Sequence, residues 1–170
     1  MTVVTMFTDG ACSGNPGPAG WAAILVSGKR EKEVVGGARE STNNRAESMA
    51  AIVGLEALKF ACEVTVRTDS TYVCAVGNPA RKKIRANLDL VARLDALKAS
   101  HSVTFVKTPR THPMIVRCDA LAKAEVERQR SLKQVELQSF CPQYDDCSRC
   151  DVPSCPADKY TGRVVTGTAT

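Results

Sequence analysis

The chain has 170 residues, 44% apolar and 24% charged, with a formal net charge of +5 and a pI near 8.8. These totals describe about one globular domain with its own core; they exclude a disordered chain and permit, without requiring, a polyanionic partner. No apolar run reaches membrane-spanning length and the N-terminus lacks a signal-peptide pattern, so a cytoplasmic protein with no membrane partner is expected.

Val3, Val4, Met6 and Phe7 form a β-prone run that ends at Thr8-Asp9-Gly10. A turn rich in Gly, Asn and Pro follows, and a second apolar run opens with Trp21, which reads as core. Asp9 is thus expected at the end of a buried strand. The neighbouring glycines (Gly10, Gly14, Gly17, Gly20) would let backbone amides approach a ligand. A carboxylate in that setting suits a magnesium ion and a phosphate, although a plain hairpin with an exposed aspartate has the same local pattern.

Lys32 to Ala38 reads as a third strand interrupted at Gly36-Gly37. Ser41-Thr42-Asn43-Asn44 is a concentrated helix-start signal, since these side chains can accept hydrogen bonds from first-turn amides. Apolar residues from Ala46 to Phe60 follow at helical spacing, which places Glu47 in the first turn, where the helix dipole alone would favour it.

Val64 to Thr68 is a fourth strand ending at Asp69, so Asp69 repeats the Asp9 situation. A short helix opens at Ser70-Thr71-Tyr72-Val73, capped by Asp69 or Ser70, and breaks at Gly77-Asn78-Pro79. Arg81, Lys82, Lys83 and Arg85 form a dense basic patch, either a phosphate contact or a solvated turn. An amphipathic helix carries Leu88, Leu90, Val91, Leu94 and Leu97, and Ser102 to Lys107 alternates as a fifth strand. The breaker-rich segment Thr108-Pro109-Arg110-Thr111-His112-Pro113 leads into a last helix that carries Asp119. Hairpins first and strand–helix alternation later imply an α/β fold with a mixed sheet.

DGACSGNPGPAGW, TNNRAE, TDSTYV and RCDALA, in this order and at these separations, resemble type 1 ribonuclease H of the bacterial kind over roughly residues 2–128. Each motif contributes one carboxylate, and four in register are specific. The resemblance implies the ribonuclease H-like fold, a five-stranded mixed sheet flanked by helices. It also implies an endoribonuclease that hydrolyses the RNA strand of RNA–DNA hybrids with two Mg²⁺ or Mn²⁺ ions, leaving 5′-phosphate and 3′-hydroxyl ends. Asp9, Glu47, Asp69 and Asp119 match the four metal-binding, catalytic carboxylates. Two divalent ions need such a cluster to activate a water on one side of phosphorus and stabilise the leaving oxygen on the other. Asn15, Asn43 and Asn44 match residues that touch the hybrid's minor groove, with Cys12 and Thr71 near that surface. Thr42 matches a position that anchors a DNA phosphate. Contacts of that kind recognise the 2′-hydroxyl rather than sequence. Family precedent points to a monomer.

Two departures stand out. The family loop before the last helix often reads Lys-Gly-His-x-Gly-His-Pro, and alignment on Lys107 puts Pro109 at the first histidine and His112 at the second. Either the loop rearranges and His112 acts in catalysis, or the enzyme works more slowly without that histidine. The segment between Val76 and Leu88 is also short and has no aromatic residue, where many relatives carry a Trp- and Lys-rich gripping helix. Weaker, more salt-sensitive binding is expected.

The expected ribonuclease H domain spans residues 1–131, followed by a cysteine-rich tail over 132–170. Cys12, Cys62, Cys74 and Cys118 read as free thiols. In the tail, Cys141, Cys147, Cys150 and Cys155 could close one Zn²⁺ site around the central C-x2-C, with disulfides or an unstructured tail as competing readings. Two other functions share the sequence features: a non-catalytic hybrid-binding module, and another nuclease of the same fold such as a junction resolvase or transposase core. Four retained carboxylates argue against the first, and TNNRAE with the GNPGPAG loop argues against the second.

Overall fold

The computed structural model describes residues 1–78 and 84–140, with 133–140 as helix backbone only. The four tail cysteines (Cys141, Cys147, Cys150, Cys155) and the basic residues Arg81, Lys82 and Lys83 lie outside the described residues. Contacts divide the chain into Met1–Gln129 and Arg130–Thr170. Among the described residues, no helix is long and apolar enough to cross a membrane.

Three strands come first: β1 (Thr2–Cys12), β2 (Gly17–Ser27) and β3 (Arg30–Ser41), paired antiparallel. Helix α1 (Asn43–Glu56), β4 (Cys62–Thr68), α2 (Thr71–Gly77), α3 (Leu88–Ser100), β5 (Ser102–Lys107) and α4 (Pro113–Phe140) follow. The sheet order is β3-β2-β1-β4-β5, with β4 parallel to both β1 and β5. The mixed α/β architecture expected from the hairpin-then-alternation order is therefore present.

Alternation along the strands sorts the core into two faces. Val4 and Met6 of β1 join Leu25, Ile52, Leu55, Val64, Val66 and Leu94 on the face covered by α1 and α3. Phe7, Ala22 and Ile24 pack instead on Ile115, Cys118 and Ala122 of α4. Trp21 is core as expected, 9% exposed and grouped with Ala19, Ala46 and Ala50. Arg45 ties α1 to α3 through both terminal nitrogens, donating at 2.9 and 2.6 Å to Asp89. That guanidinium holds the Asp89 carboxyl down at about 2.

Several boundaries differ from the sequence reading. β1 does not stop at Asp9, because Gly10, Ala11 and Cys12 continue to pair with Trp21, Gly20 and Ala19. β3 runs unbroken through Gly36-Gly37, which pair with Trp21 and Gly20. Helix α1 ends at Glu56, short of Phe60, which is 79% exposed. Its start at Asn43 puts Glu47 beyond the first turn, which holds no acidic residue. Helix α4 continues to Phe140, past the expected domain end at 131. Two of the glycines near Asp9 also serve packing. A Cβ on Gly10 would sit 2.4 Å from backbone atoms of Ala46 and Glu47, and one on Gly20 would sit 2.2 Å from the Ala122 carbonyl. Both allow a helix to lie directly on the sheet.

Candidate active site

The parallel ladders of β4 with β1 and with β5 end at one place, and their register accounts for the site. Thr8 of β1 is the partner of Thr68 of β4, so the next residues, Asp9 and Asp69, emerge side by side. Thr68 is likewise paired with Lys107 of β5, and the Thr108 N–H donates to the Thr68 carbonyl at 2.8 Å. The loop Thr108–Arg110 is thereby laid beside Asp69, and these residues together with Lys107 line a surface cavity. Glu47 arrives from α1 across the close approach at Gly10, and Asp119 from α4 one residue after the buried Cys118.

The four acids are close enough to act on one another. Burial pushes the Asp9 carboxyl up to about 7; Asp69, then Asp119 and Glu47 add to the rise, against the Gly10 N–H, which lowers it. The Gly10 N–H donates to Asp9 Oδ1 at 2.8 Å. The other three acids are each held by a neighbour. Asp69 Oδ2 accepts from Arg110 Nε at 2.7 Å, and Asp119 accepts from Lys123 at 2.7 Å, one helical turn on. Glu47 accepts from Asn43 Nδ2 at 2.9 Å and from the Ser70 hydroxyl in a short bond. Among the described residues no three His, Cys, Asp or Glu side chains form a ready-made metal ligand set. Asp69 Oδ1 is buried with no hydrogen-bond partner.

Ser70, not Asp69, caps α2, accepting from the Val73 N–H at 3.1 Å. Thr42 is the N-cap residue of α1 but makes no side-chain capping bond. Asn15 Oδ1 instead accepts from the Asn43 N–H at 3.4 Å, and Cys12 Sγ donates to the Ser41 carbonyl at 3.3 Å. Cys12, Asn15, Thr42 and Asn43 therefore gather where the β1–β2 loop meets α1, with Asn44 exposed on the next position. Asn43 links this group to the acids through Glu47. Thr71 lies apart from it, its Oγ1 accepting from Lys107 Nζ at 2.6 Å. Cys12, Cys62, Cys74 and Cys118 are free thiols.

His112 is built into the start of α4. Its carbonyl accepts from the Ile115 and Val116 N–H groups, and its Nδ1 accepts from the Met114 N–H at 3.2 Å. The ring stacks on Phe7, with centroids 5.0 Å apart. The sequence reading gave Arg110 no role and used Lys107 only to align the loop. Lys107 Nζ also donates to the Asp69 carbonyl at 2.6 Å. The sequence signal for both was present: two cations flanking the place where the family's histidine is missing.

Comparison with known proteins identifies the family. A family model described as RNase H matches residues 1–127. The chain is 46% identical over 149 residues to the ribonuclease H of Bradyrhizobium sp. (strain ORS 278), covering 79% of this chain and 97% of that protein. It is 48% identical over 133 residues to the ribonuclease HI of Caulobacter vibrioides, covering 70% and 89%. A solved structure of LC11-RNase H1 in complex with RNA/DNA hybrid superposes with a TM-score of 0.66 at 28% identity, over 74% of this chain and 97% of that one. Fold and relatives agree, and the chain belongs to the ribonuclease H family of nucleases.

Proposed function

We propose that the protein is an endoribonuclease that hydrolyses the RNA strand of RNA–DNA hybrids, with Asp9, Glu47, Asp69 and Asp119 holding two Mg²⁺ or Mn²⁺ ions. The observation that carries this is the Asp9 carboxyl, buried among three other acids and pushed up to about 7 by burial and by their charge. Such an arrangement is unfavourable as scaffold, and divalent cations relieve it. The unpartnered Asp69 Oδ1 fits the same role, since it offers a hard oxygen with no protein donor. Bound there, the ions would supply water activation and charge stabilisation at the leaving oxygen, and 5′-phosphate and 3′-hydroxyl ends are the expected products.

The chain's own residues do the rest. Arg110 on Asp69 Oδ2 and Lys123 on Asp119 Oδ2 would compete with the ions for those carboxylates. Asn43 positions Glu47, and with Asn15, Asn44, Cys12, Thr42 and Thr71 it would meet the hybrid's minor groove and DNA backbone. We read His112 as the brace of the loop rather than a proton carrier, since cap and ring stack both engage it. His112→Ala is expected to cost about 1–2 kcal/mol in urea unfolding while cleavage per folded molecule falls less than tenfold. The protein acts as a cytoplasmic monomer.

The experiment is cleavage of a labelled RNA–DNA hybrid beside a DNA duplex of the same sequence, with Mg²⁺ and then Mn²⁺. Metal-dependent cutting of the RNA strand alone is expected. Cutting of the DNA duplex would favour the resolvase-like reading, and a folded protein that binds hybrid without cutting it would favour the binding module.

A further inference from the structure

Arg110 stands in an unusual relation to the acids. Its side chain is 85% exposed, yet it pairs with Asp69, whose side chain is 6% exposed. The bond uses Nε rather than the terminal fork. The guanidinium is pushed up first by its bond and charge interaction with Asp69, and Asp9 and Asp119 add to that, so it answers to three acids of the cluster. Its attachment is nevertheless weak, because a long exposed arm gives up side-chain freedom to hold one bond at the water's edge. Lys107 differs, being fixed on the Asp69 carbonyl and the Thr71 hydroxyl. Lys123 differs as well, since the carboxylate it pairs with is itself 38% exposed.

We propose that Arg110 is a two-position arginine: it neutralises Asp69 until a divalent cation takes that carboxylate, and the released guanidinium then binds the phosphate being cut. The inference rests on the hybrid-cleaving reading above. Arg110 lies in the loop next to Pro109, which occupies the place of the family's histidine. A guanidinium can pair with two phosphate oxygens through its planar fork, which an imidazole cannot do. It cannot pass a proton in the working pH range, so its contribution is charge stabilisation at the phosphate. The two positions oppose one another in effect. Holding Asp69 weakens metal binding, and meeting the phosphate speeds the cut.

The test measures both effects in the full chain with Arg110→Ala and Arg110→Lys. Calorimetric titration of Mn²⁺ into substrate-free protein is expected to show Arg110→Ala binding about threefold to fivefold tighter than the parent, as loss of one competing ion pair implies. At saturating Mn²⁺, its kcat on hybrid is expected to fall about tenfold or more, with Arg110→Lys recovering part of the loss. Unchanged or weaker Mn²⁺ binding would overturn the neutralising position, and a kcat within twofold of the parent's would overturn the phosphate position. If the parent itself cuts no hybrid, the proposed function and the phosphate position fail together. The Mn²⁺ titration still decides whether Arg110 competes for Asp69.

Discussion

Asp9→Asn is expected to abolish hybrid cleavage and, in the same molecule, to make the metal-free protein harder to unfold at pH 8. Both effects follow from the position of one carboxyl, 9% exposed and raised to about 7 by burial and its acidic neighbours. Activity should fall by at least about a hundredfold, the scale on which even outer partners of a metal ligand act. The stability effect has a definite pH window. The folded protein keeps a proton on Asp9 between the ordinary 3.8 and about 7, where the unfolded chain has released it. Folding therefore loses stability as pH rises from about 4 to about 7, and the loss is complete above that. A rise from 3.8 to about 7 corresponds to on the order of 4 kcal/mol at most. Asparagine carries no charge to lose. Urea unfolding with a chelator should show the variant and its parent nearly equal near pH 4 and diverging up to pH 7, with the variant more stable. A constant difference from pH 4 to 8 would mean that Asp9 is not strained by ionisation, and the electrostatic case for a metal there would fall with it.

How much of this was legible in the sequence depends on how local the cause is. β5 starts and ends at Ser102 and Lys107 as its alternation predicts, and β4 does end just before Asp69, because both signals lie within a few residues. The Gly-, Asn- and Pro-rich stretch after Asp9 predicts a strand end there, whereas pairing of Gly10 with Trp21 carries β1 on to Cys12. Tertiary pairing outweighed propensity. The extension of α4 to Phe140 has the opposite origin: SLKQVELQSF lacks an apolar stripe but is rich in residues that propagate a helix already begun. The contacts of Arg110 and Lys107 with Asp69 span 41 and 38 residues, and no local pattern encodes them. They follow from the parallel register of β1, β4 and β5, which the sequence suggests in kind but not in residue pairs. The four acids were legible because each sits in its own motif; their present partners were not.

Gly10→Ala should be strongly damaging for so small a substitution, because it separates the two structural elements that bring Asp9 and Glu47 together. A single methyl group would lie 2.4 Å from the backbone carbon of Ala46 and the backbone nitrogen of Glu47. Backbone atoms of a packed helix cannot turn aside as a flexible side-chain end can. Either α1 lifts from the sheet or β1 distorts, and overpacking of this kind is expected to cost about 3 kcal/mol or more. Gly28 supplies the comparison. Its φ of +58° strains an alanine, but nothing lies within 4 Å of the new carbon, so Gly28→Ala should cost only about 1 kcal/mol. Urea unfolding separates the two variants on stability. Cleavage per folded molecule then separates packing from chemistry: if α1 lifts, Glu47 leaves the reach of Asp9 and turnover falls even where the protein remains folded. In Gly28→Ala, turnover per folded molecule should match the parent's. A Gly10→Ala protein within 1 kcal/mol of its parent and equally active would show that α1 can yield without moving Glu47. The close approach at Gly10 would then be a feature of packing alone.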